Sequence, residues 1–473
     1  MKFLKRVACA AVSAALAISM SGCVMTVDQM YVPPRRSESY RNLQTVMDGF
    51  MRDLEYCAPT SGENQQSVQM ADINGDGLKE VMVFVKGSDE HPLKILIFRL
   101  DDGEYVPLSV IEATGTAYDQ VEYIQLDGQP GLELVVGRQV SDQVMRNLTV
   151  YCFSAGQPEQ LLTVNYQKFL TLDMGGDGRA DLFVLRPGRT ENDCGVVELY
   201  SAQDGTVSRS AEVSMSQSVT KLKRIMTGSL HSGERAVFVA SSVDDASIVT
   251  DVYALVDDKL TNVSMSSESG TSVKTVRNYY VYAEDIDGDG VLELPSLISM
   301  RGPGESRSVE EREHLIRWYA LGADGTEYDK PFTYHNDLQG WYMEGDGSMA
   351  GRRCVVPEDT GRFSFCIWDR NYGNLEKRGT VYVLTGEDRS SAAALDGRFV
   401  LLKTDSVVYA ASLEKAGERS GDGWTVCAAQ DRFGGLRCFS GGCRPGRRDH
   451  PGTIDQQLFP DPVGLENRGN VRK

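Results

Sequence analysis

Apolar and polar positions change their spacing twice along the chain. In "SYRNLQTVMDGFMRDLEY", Leu43, Val46, Met47, Phe50, Met51 and Leu54 recur at three- and four-residue steps, the signature of a helix with one apolar stripe turned to a core. From about residue 65 the period falls to two. "EVMVFV", "LKILIF", "LELVVG", "LTVYCF", "DLFVLR", "VVELYS", "AVFVAS", "TDVYAL" and "HLIRWYAL" are short runs rich in β-branched and aromatic residues, separated by Gly, Asp and Ser, and they predict strands. No helical stripe of convincing length interrupts them, which argues against the crossover helices that a parallel sheet needs. Beyond Trp341, "RFSFCIWDRN", "GTVYVLTG" and "GRFVLLKT" predict further strands, ahead of a short helix around "VVYAASLEKAG".

The runs repeat as a unit. An acidic loop entering an apolar strand occurs at Asp72, Asp127, Asp173 and Asp285, with the weaker "HSGERAVFVAS" between the last two, a step of about fifty residues. Between loops a second run ends in a polar hairpin turn, as in "FRLDDGEY", "FSAGQPEQ" and "YSAQDGTV". Each unit is therefore a small sheet, and sheets of about four strands at this spacing build a β-propeller, in which each blade buries its faces only against its neighbours. The expected fold is all-β, a propeller of about five to seven blades with a short N-terminal helix and a small C-terminal β or α/β segment. A pair of β-sandwiches is the alternative. The expected division is a signal over 1–22, a tether and docking helix over 23–64, the propeller over 65–335, the C-terminal segment over 336–419 and a disordered, Gly-, Arg- and Cys-rich tail over 420–473.

The acidic loops carry the candidate chemistry. A calcium ion takes six to eight hard oxygen ligands, and a tight loop supplies them when carboxylates fall on alternate residues and a glycine permits the turn. In "DIDGDGVLE", Asp285, Asp287 and Asp289 hold positions one, three and five, the carbonyl of Val291 position seven and Glu293 position nine. "DINGDGLKE" repeats the set with Asp72, Asn74, Asp76, the carbonyl of Leu78 and Glu80, Asn74 lending a neutral oxygen. "DMGGDGRAD" keeps Asp173, Asp177, the carbonyl of Arg179 and Asp181, but has Gly175 at position three, where water is expected to fill in. "LDGQPGLEL" keeps only Asp127 and Glu133 and is read as the same turn without metal. The competing reading is a plain Asx turn, because Asp, Asn and Gly favour turns by themselves. An EF-hand is excluded, since strands follow the loops where that motif needs a helix.

These loops resemble those of FG-GAP and VCBS repeats, the blades of integrin-type propellers, whose pattern is D-x-D-x-D-G-x-x-D entering a strand. The resemblance covers roughly residues 65 to 335, is specific at the loops of Asp72 and Asp285 and partial at Asp173. It implies structural calcium between strands and a role in extracellular adhesion or ligand binding. Glu80 and Glu293 stand where the family has its final aspartate.

The chain ends and the charge set the context. Lys2, Lys5 and Arg6 precede an apolar run from Val7 to Met20, which is a signal pattern too short to span a bilayer as a mature helix. Ser21-Gly22-Cys23 resembles the lipobox of bacterial lipoproteins, with Cys23 as the lipidated residue. The expected location is extracytoplasmic, held on the bacterial membrane through Cys23. A net charge of −18 over 473 residues argues against nucleic acid as a partner and suits a chain that collects divalent cations. The ten cysteines stand without metal-ligand spacing and their disulfides are not assigned by sequence.

Catalytic motifs are not found. The five histidines are far apart, and there is no H-E-x-x-H, G-x-S-x-G or phosphate-binding G-x-x-x-x-G-K-S/T. The expected function is a recognition, adhesion or scaffolding module binding an extracellular protein or carbohydrate. One alternative is a propeller-type polysaccharide hydrolase or lyase, which two buried carboxylates about 5 to 10 Å apart in an open cleft would mark. The other is a solute-binding lipoprotein, which two lobes around a cleft would mark.

Overall fold

The computed structural model describes residues 38–140, 146–154, 156–190, 193–203, 205–278, 281–301, 314–336, 341–345, 352–395, 397–414 and 424–428. Cys23, the signal and most of the tail lie outside them. Among the described residues the apolar runs pair into six antiparallel sheets, laid down in chain order. The first holds Glu55–Tyr56 and Val68–Ala71 along one edge of Glu80–Lys86, followed by Leu93–Asp101 and Glu104–Ala113. The second is Ala117–Ile124, Glu133–Gln139, Arg146–Ser154 and Gln157–Tyr166, and the third Lys168–Leu172, Asp181–Arg186, Val196–Gln203 and Thr206–Ser214. The fourth is Leu222–Ser229, Arg235–Ser242, Ile248–Val256 and Lys259–Asn262, the fifth begins with Leu294–Ser299, His314–Leu321 and Glu327–Asn336, and the sixth orders Arg353–Asp359, Arg362–Trp368, Leu375–Thr385, Val407–Leu413 and Arg398–Lys403. In the first four sheets, apart from Glu55–Tyr56, which pairs with Glu80–Lys86 and not with the next strand, strands adjacent in sequence are adjacent in space, which short hairpin turns dictate.

Packing is equally sequential. Met82, Phe84 and Ile95 of the first sheet meet Tyr118, Val121 and Leu134 of the second. Val135 and Val150 of the second meet Phe169, Leu182 and Val184 of the third, whose Phe183 and Leu185 meet Val237 and Val239 of the fourth. Phe238 and Val252 of the fourth meet Leu294 and Tyr319 of the fifth, and Trp341 of the fifth meets Phe363 and Phe365 of the sixth. The second strand of a sheet is thus covered on both faces. Glu80–Lys86 and Arg235–Ser242 are buried almost throughout, so these strands read as continuous apolar runs, not the expected alternation. The outer strand Thr206–Ser214 is largely exposed.

The helix Glu38–Phe50 forms where its stripe predicts and lays Leu43 and Met47 on Val81, Val83, Val85, Leu96 and Phe98. That is the face of the first sheet turned away from the second, the face a last blade covers in a closed ring.

The C-terminal region departs from expectation in three places. Trp341–Gly345 pairs with Glu327–Asn336 and so continues the fifth sheet past the boundary expected at residue 335. Trp424–Ala428, in the segment expected to be disordered, pairs with Trp341–Gly345. The expected helix at "VVYAASLEKAG" is instead the strand Val407–Leu413, held between Leu375–Thr385 and Arg398–Lys403. Its β-branched pair Val407-Val408 suits a pleated surface, and Val408 through Ala411 are buried. The helix in this region is the short Arg389–Ala393, packed on the sixth sheet through Ala393.

Candidate cation-binding loops

The expected loops run from the end of one strand to the start of the next, and three share one hydrogen-bond plan. The position-one aspartate folds back on the loop's own N–H groups. Asp72 accepts from Gly75 (2.8 Å) and Gly77 (3.0 Å), Asp173 from Gly176 (2.6 Å), Asp177 (3.1 Å) and Gly178 (3.0 Å), and Asp285 from Gly288 (2.5 Å), Asp289 (3.0 Å) and Gly290 (3.0 Å). The position-five carboxylates of Asp76, Asp177 and Asp289 accept the N–H groups of Leu78, Arg179 and Val291 at 2.7, 3.0 and 2.9 Å. The acid at position nine reaches back to position two: Glu80 accepts from Ile73 (3.1 Å), Asp181 from Met174 (3.1 Å) and Glu293 from Ile286 (2.9 Å). Gly290 adopts φ +87°, a left-handed turn that a side chain would strain.

The degenerate loop follows the same plan in a shifted register. Leu126 donates to Glu133 at 2.7 Å and Gly128 to Gln125 Oε1 at 2.7 Å, so Gln125, not Asp127, holds position one. Asp127 falls at position three and accepts from Gln129 (2.8 Å). A neutral amide at position one leaves this loop with two carboxylates.

The loops also tie sheet to sheet. The N–H at position eight of one loop donates to a carbonyl of the loop region before it: Leu132 to Asp72 O (3.1 Å), Ala180 to Gln125 O (2.7 Å) and Leu292 to Ser229 O (3.2 Å). The turns at Asp72, Gln125 and Asp173 therefore sit side by side, and the Asp285 loop sits against the end of the strand Leu222–Ser229.

Their centres differ. Among the described residues, only Asp285, Asp287 and Asp289 offer carboxylate oxygens that all lie within 4.8 Å of one another. Lys330, from the strand Glu327–Asn336 of the same sheet, places its Nζ 2.7 Å from Asp287, 2.7 Å from Asp289 and 3.1 Å from Glu293. Nothing local in the sequence pairs Lys330 with this loop. Asp287 Oδ1 is buried without a hydrogen-bond partner, and Glu293 Oε1 is the oxygen that faces Lys330 Nζ. Burial drives the Glu293 carboxyl up to about 7, against the Ile286 and Lys330 hydrogen bonds that favour its charge. Burial also opposes the charge on Lys330, yet contacts with Asp287, Asp289 and Glu293 hold it protonated well above its ordinary range. Four acidic groups thus face one ammonium. The residues fit a divalent cation: hard oxygen donors, an orphaned carboxylate oxygen on Asp287 and an excess of negative charge.

At Asp72 the centre is closed differently from expectation. Asn74 turns its Nδ2, not its Oδ1, inward to Asp76 (3.1 Å) and Glu80 (2.9 Å), while Oδ1 accepts the Asp76 N–H at 2.9 Å. At Asp173 the counter-charge is the side chain of Arg179, whose Nε and Nη2 lie 2.9 and 2.5 Å from Asp177 Oδ2. That hydrogen bond holds the Asp177 carboxyl below its ordinary range. Sequence reading assigned Arg179 only its carbonyl and left a guanidinium beside an aspartate uncounted.

Buried carboxylates elsewhere are saturated by donors. Asp119 accepts from Tyr166 Oη (2.6 Å) and Ser61 Oγ (3.2 Å), and Asp251, fully buried, accepts from Ser216, Asn262 and Ser272. These centres stitch neighbouring segments together. The cleft between the first and second sheets, lined by Ile95, Ile111, Tyr118, Arg138, Thr149 and Tyr151 among others, has no carboxylate on its wall.

No protein-family model matches the chain, and no curated protein matches it. Among solved structures, Sqt1 from Chaetomium thermophilum aligns over 74% of this chain and 97% of its own, at 11% identity and a TM-score of 0.30. The exotype rhamnogalacturonan lyase YesX aligns over 69% of this chain and 67% of its own, at 15% identity and a TM-score of 0.29. A protein from Lactobacillus plantarum aligns over 67% and 84%, at 11% identity and a TM-score of 0.24. At scores this low the architecture rests on the strand pairing and packing described above.

Proposed function

We propose that this chain is a propeller-type recognition or scaffolding module, carried outside the cytoplasm on lipidated Cys23, whose Asp285 loop takes a structural calcium ion. Support for the module comes from sheets of consecutive strands stacked in order, with the turns at Asp72, Gln125 and Asp173 side by side. The observation that carries the metal is the group of Asp285, Asp287 and Asp289 beside the buried Glu293, neutralised only in part by Lys330. Asp285, Asp287, Asp289, the Val291 carbonyl and Glu293 would hold the ion. Calcium there would relieve carboxylate repulsion and fasten the loop to the strand Leu294–Ser299. The Asp72 loop is a second candidate, in which turning over the Asn74 amide exchanges an N–H donor for an oxygen ligand. The Asp173 loop is least suited, because Arg179 already neutralises Asp177.

The test is a calcium titration of the purified chain by calorimetry and thermal melting, with Asp287→Asn/Asp289→Asn alongside. A cation bound only by the folded state raises the melting temperature with concentration. The wild type is expected to show saturable heat and a rising midpoint, and the double variant to lose both. A wild-type midpoint unmoved by calcium or by chelator would overturn the metal assignment. The recognition role is read separately, by whether calcium-loaded protein binds on a glycan array or captures an envelope protein through this module.

A further inference from the structure

The strands Arg353–Asp359 and Arg362–Trp368 of the sixth sheet set Cys354 directly opposite Cys366. We propose that Cys354 and Cys366 form a cross-strand disulfide in the mature protein. Directly opposed residues of antiparallel strands lie about 4.5 to 5.5 Å apart at Cα and point to the same face, inside the roughly 4.4 to 6.8 Å that a disulfide spans. Both thiols are buried, 0% and 5% exposed, among Trp341, Phe363 and Phe365 at the junction of the fifth and sixth sheets.

The pairing depends on a bulge. From Arg353↔Ile367 through Pro357↔Phe363 the strands run in one register, and at Asp359↔Arg362 it shifts by one residue. Glu358 is the extra residue. Were Glu358 paired in regular register instead of bulged, Cys354 would face Ile367 and the two sulfurs would leave on opposite faces. Cys366 also has Lys377 opposite it on its other side, in the strand Leu375–Thr385. The hydrogen bond from the Cys354 thiol, with that ammonium behind it, lowers the Cys366 thiol below its ordinary range.

Formation needs an external disulfide as oxidant. The thiolate of one cysteine attacks one sulfur of it, forming a mixed disulfide and releasing one thiolate. The other cysteine then loses its proton and attacks the first cysteine's sulfur, which releases the second thiolate. Two thiols become one disulfide, and their two protons and two electrons convert the external disulfide to two thiols. Because the folded core covers both sulfurs, the exchange belongs to folding.

The full chain is refolded with oxidised glutathione, then denatured, alkylated with iodoacetamide without reduction, digested and analysed by mass spectrometry. Expected is a peptide joining Cys354 to Cys366, lighter by two hydrogen atoms than the dithiol and lost on reduction. Reduction of the native protein should lower its melting temperature by about 5 to 10 °C, and Cys354→Ala/Cys366→Ala should be insensitive to reductant. Full alkylation of both cysteines in the glutathione-treated wild type would overturn the proposal, and that readout needs no variant to fold. Linkage of either cysteine to a different partner would overturn it equally.

Discussion

Lys330 shows how one residue can change the charge balance of an acidic loop. Its ammonium joins Asp287, Asp289 and Glu293 from 43 and 41 residues beyond the two aspartates, so the loop folds with a counter-ion already supplied by the chain. Like charges a few ångströms apart repel by about 1 kcal/mol per pair even in high dielectric, and Lys330 offsets part of that cost. At the proposed site, calcium would compete with Lys330 for the same oxygens. Lys330→Met is expected to lower the melting temperature in chelator and to raise calcium affinity roughly tenfold, so that the difference between calcium and chelator melts exceeds the wild type's. Calorimetry and paired melts check this, and unchanged affinity would show that Lys330 does not contest the site. The carboxylates of the Asp285 loop were legible from spacing alone. Lys330 was not, because strand register and not sequence distance brings it there.

At the scale of the element, each acidic loop is first a turn and a clasp. Its own side chains cap its N–H groups, its last acid bonds back to its second residue, and in the three later loops the eighth residue bonds to the sheet before it. This local plan accounts for the sequence pattern even at Gln125 and Asp127, where a metal set is missing. The contact between the first two loops is tight. Gly131 has φ +102°, and a Cβ there would lie 2.6 Å from the Ile73 carbonyl oxygen. Gly131→Ala is expected to cost about 1 to 3 kcal/mol from backbone strain plus that clash, read as a lower urea midpoint with unchanged slope. A neutral result would mean the loops are not in contact. The strand at Val407–Leu413 was misread as a helix because Ala410, Ala411 and Ser412 tolerate either structure, and burial between two strands decided it.

For the whole molecule, each sheet is stabilised by the next, as in a repeat array. The second strands Glu80–Lys86, Asp181–Arg186 and Arg235–Ser242 lie covered on both faces, whereas Gln157–Tyr166 and Thr206–Ser214 run along the exposed edge. Hydrogen exchange followed by mass spectrometry should find the slowest amides in the former set and markedly faster exchange in the latter. Equal protection across both sets would contradict the stacked-blade arrangement. The helix Glu38–Phe50 covers the outer face of the first sheet, so that face is buried whatever the arrangement of the last blade.

Spacing of apolar residues determined the helix, the small sheets, their antiparallel order and the acidic turns, because hairpins and Asx turns are built from neighbours in sequence. Only the tertiary structure decided that Lys330 enters the Asp285 loop, that Asn74 and Arg179 close the other two, and that Cys354 faces Cys366. Those depend on register and stacking, where a shift of one residue turns every side chain to the opposite face.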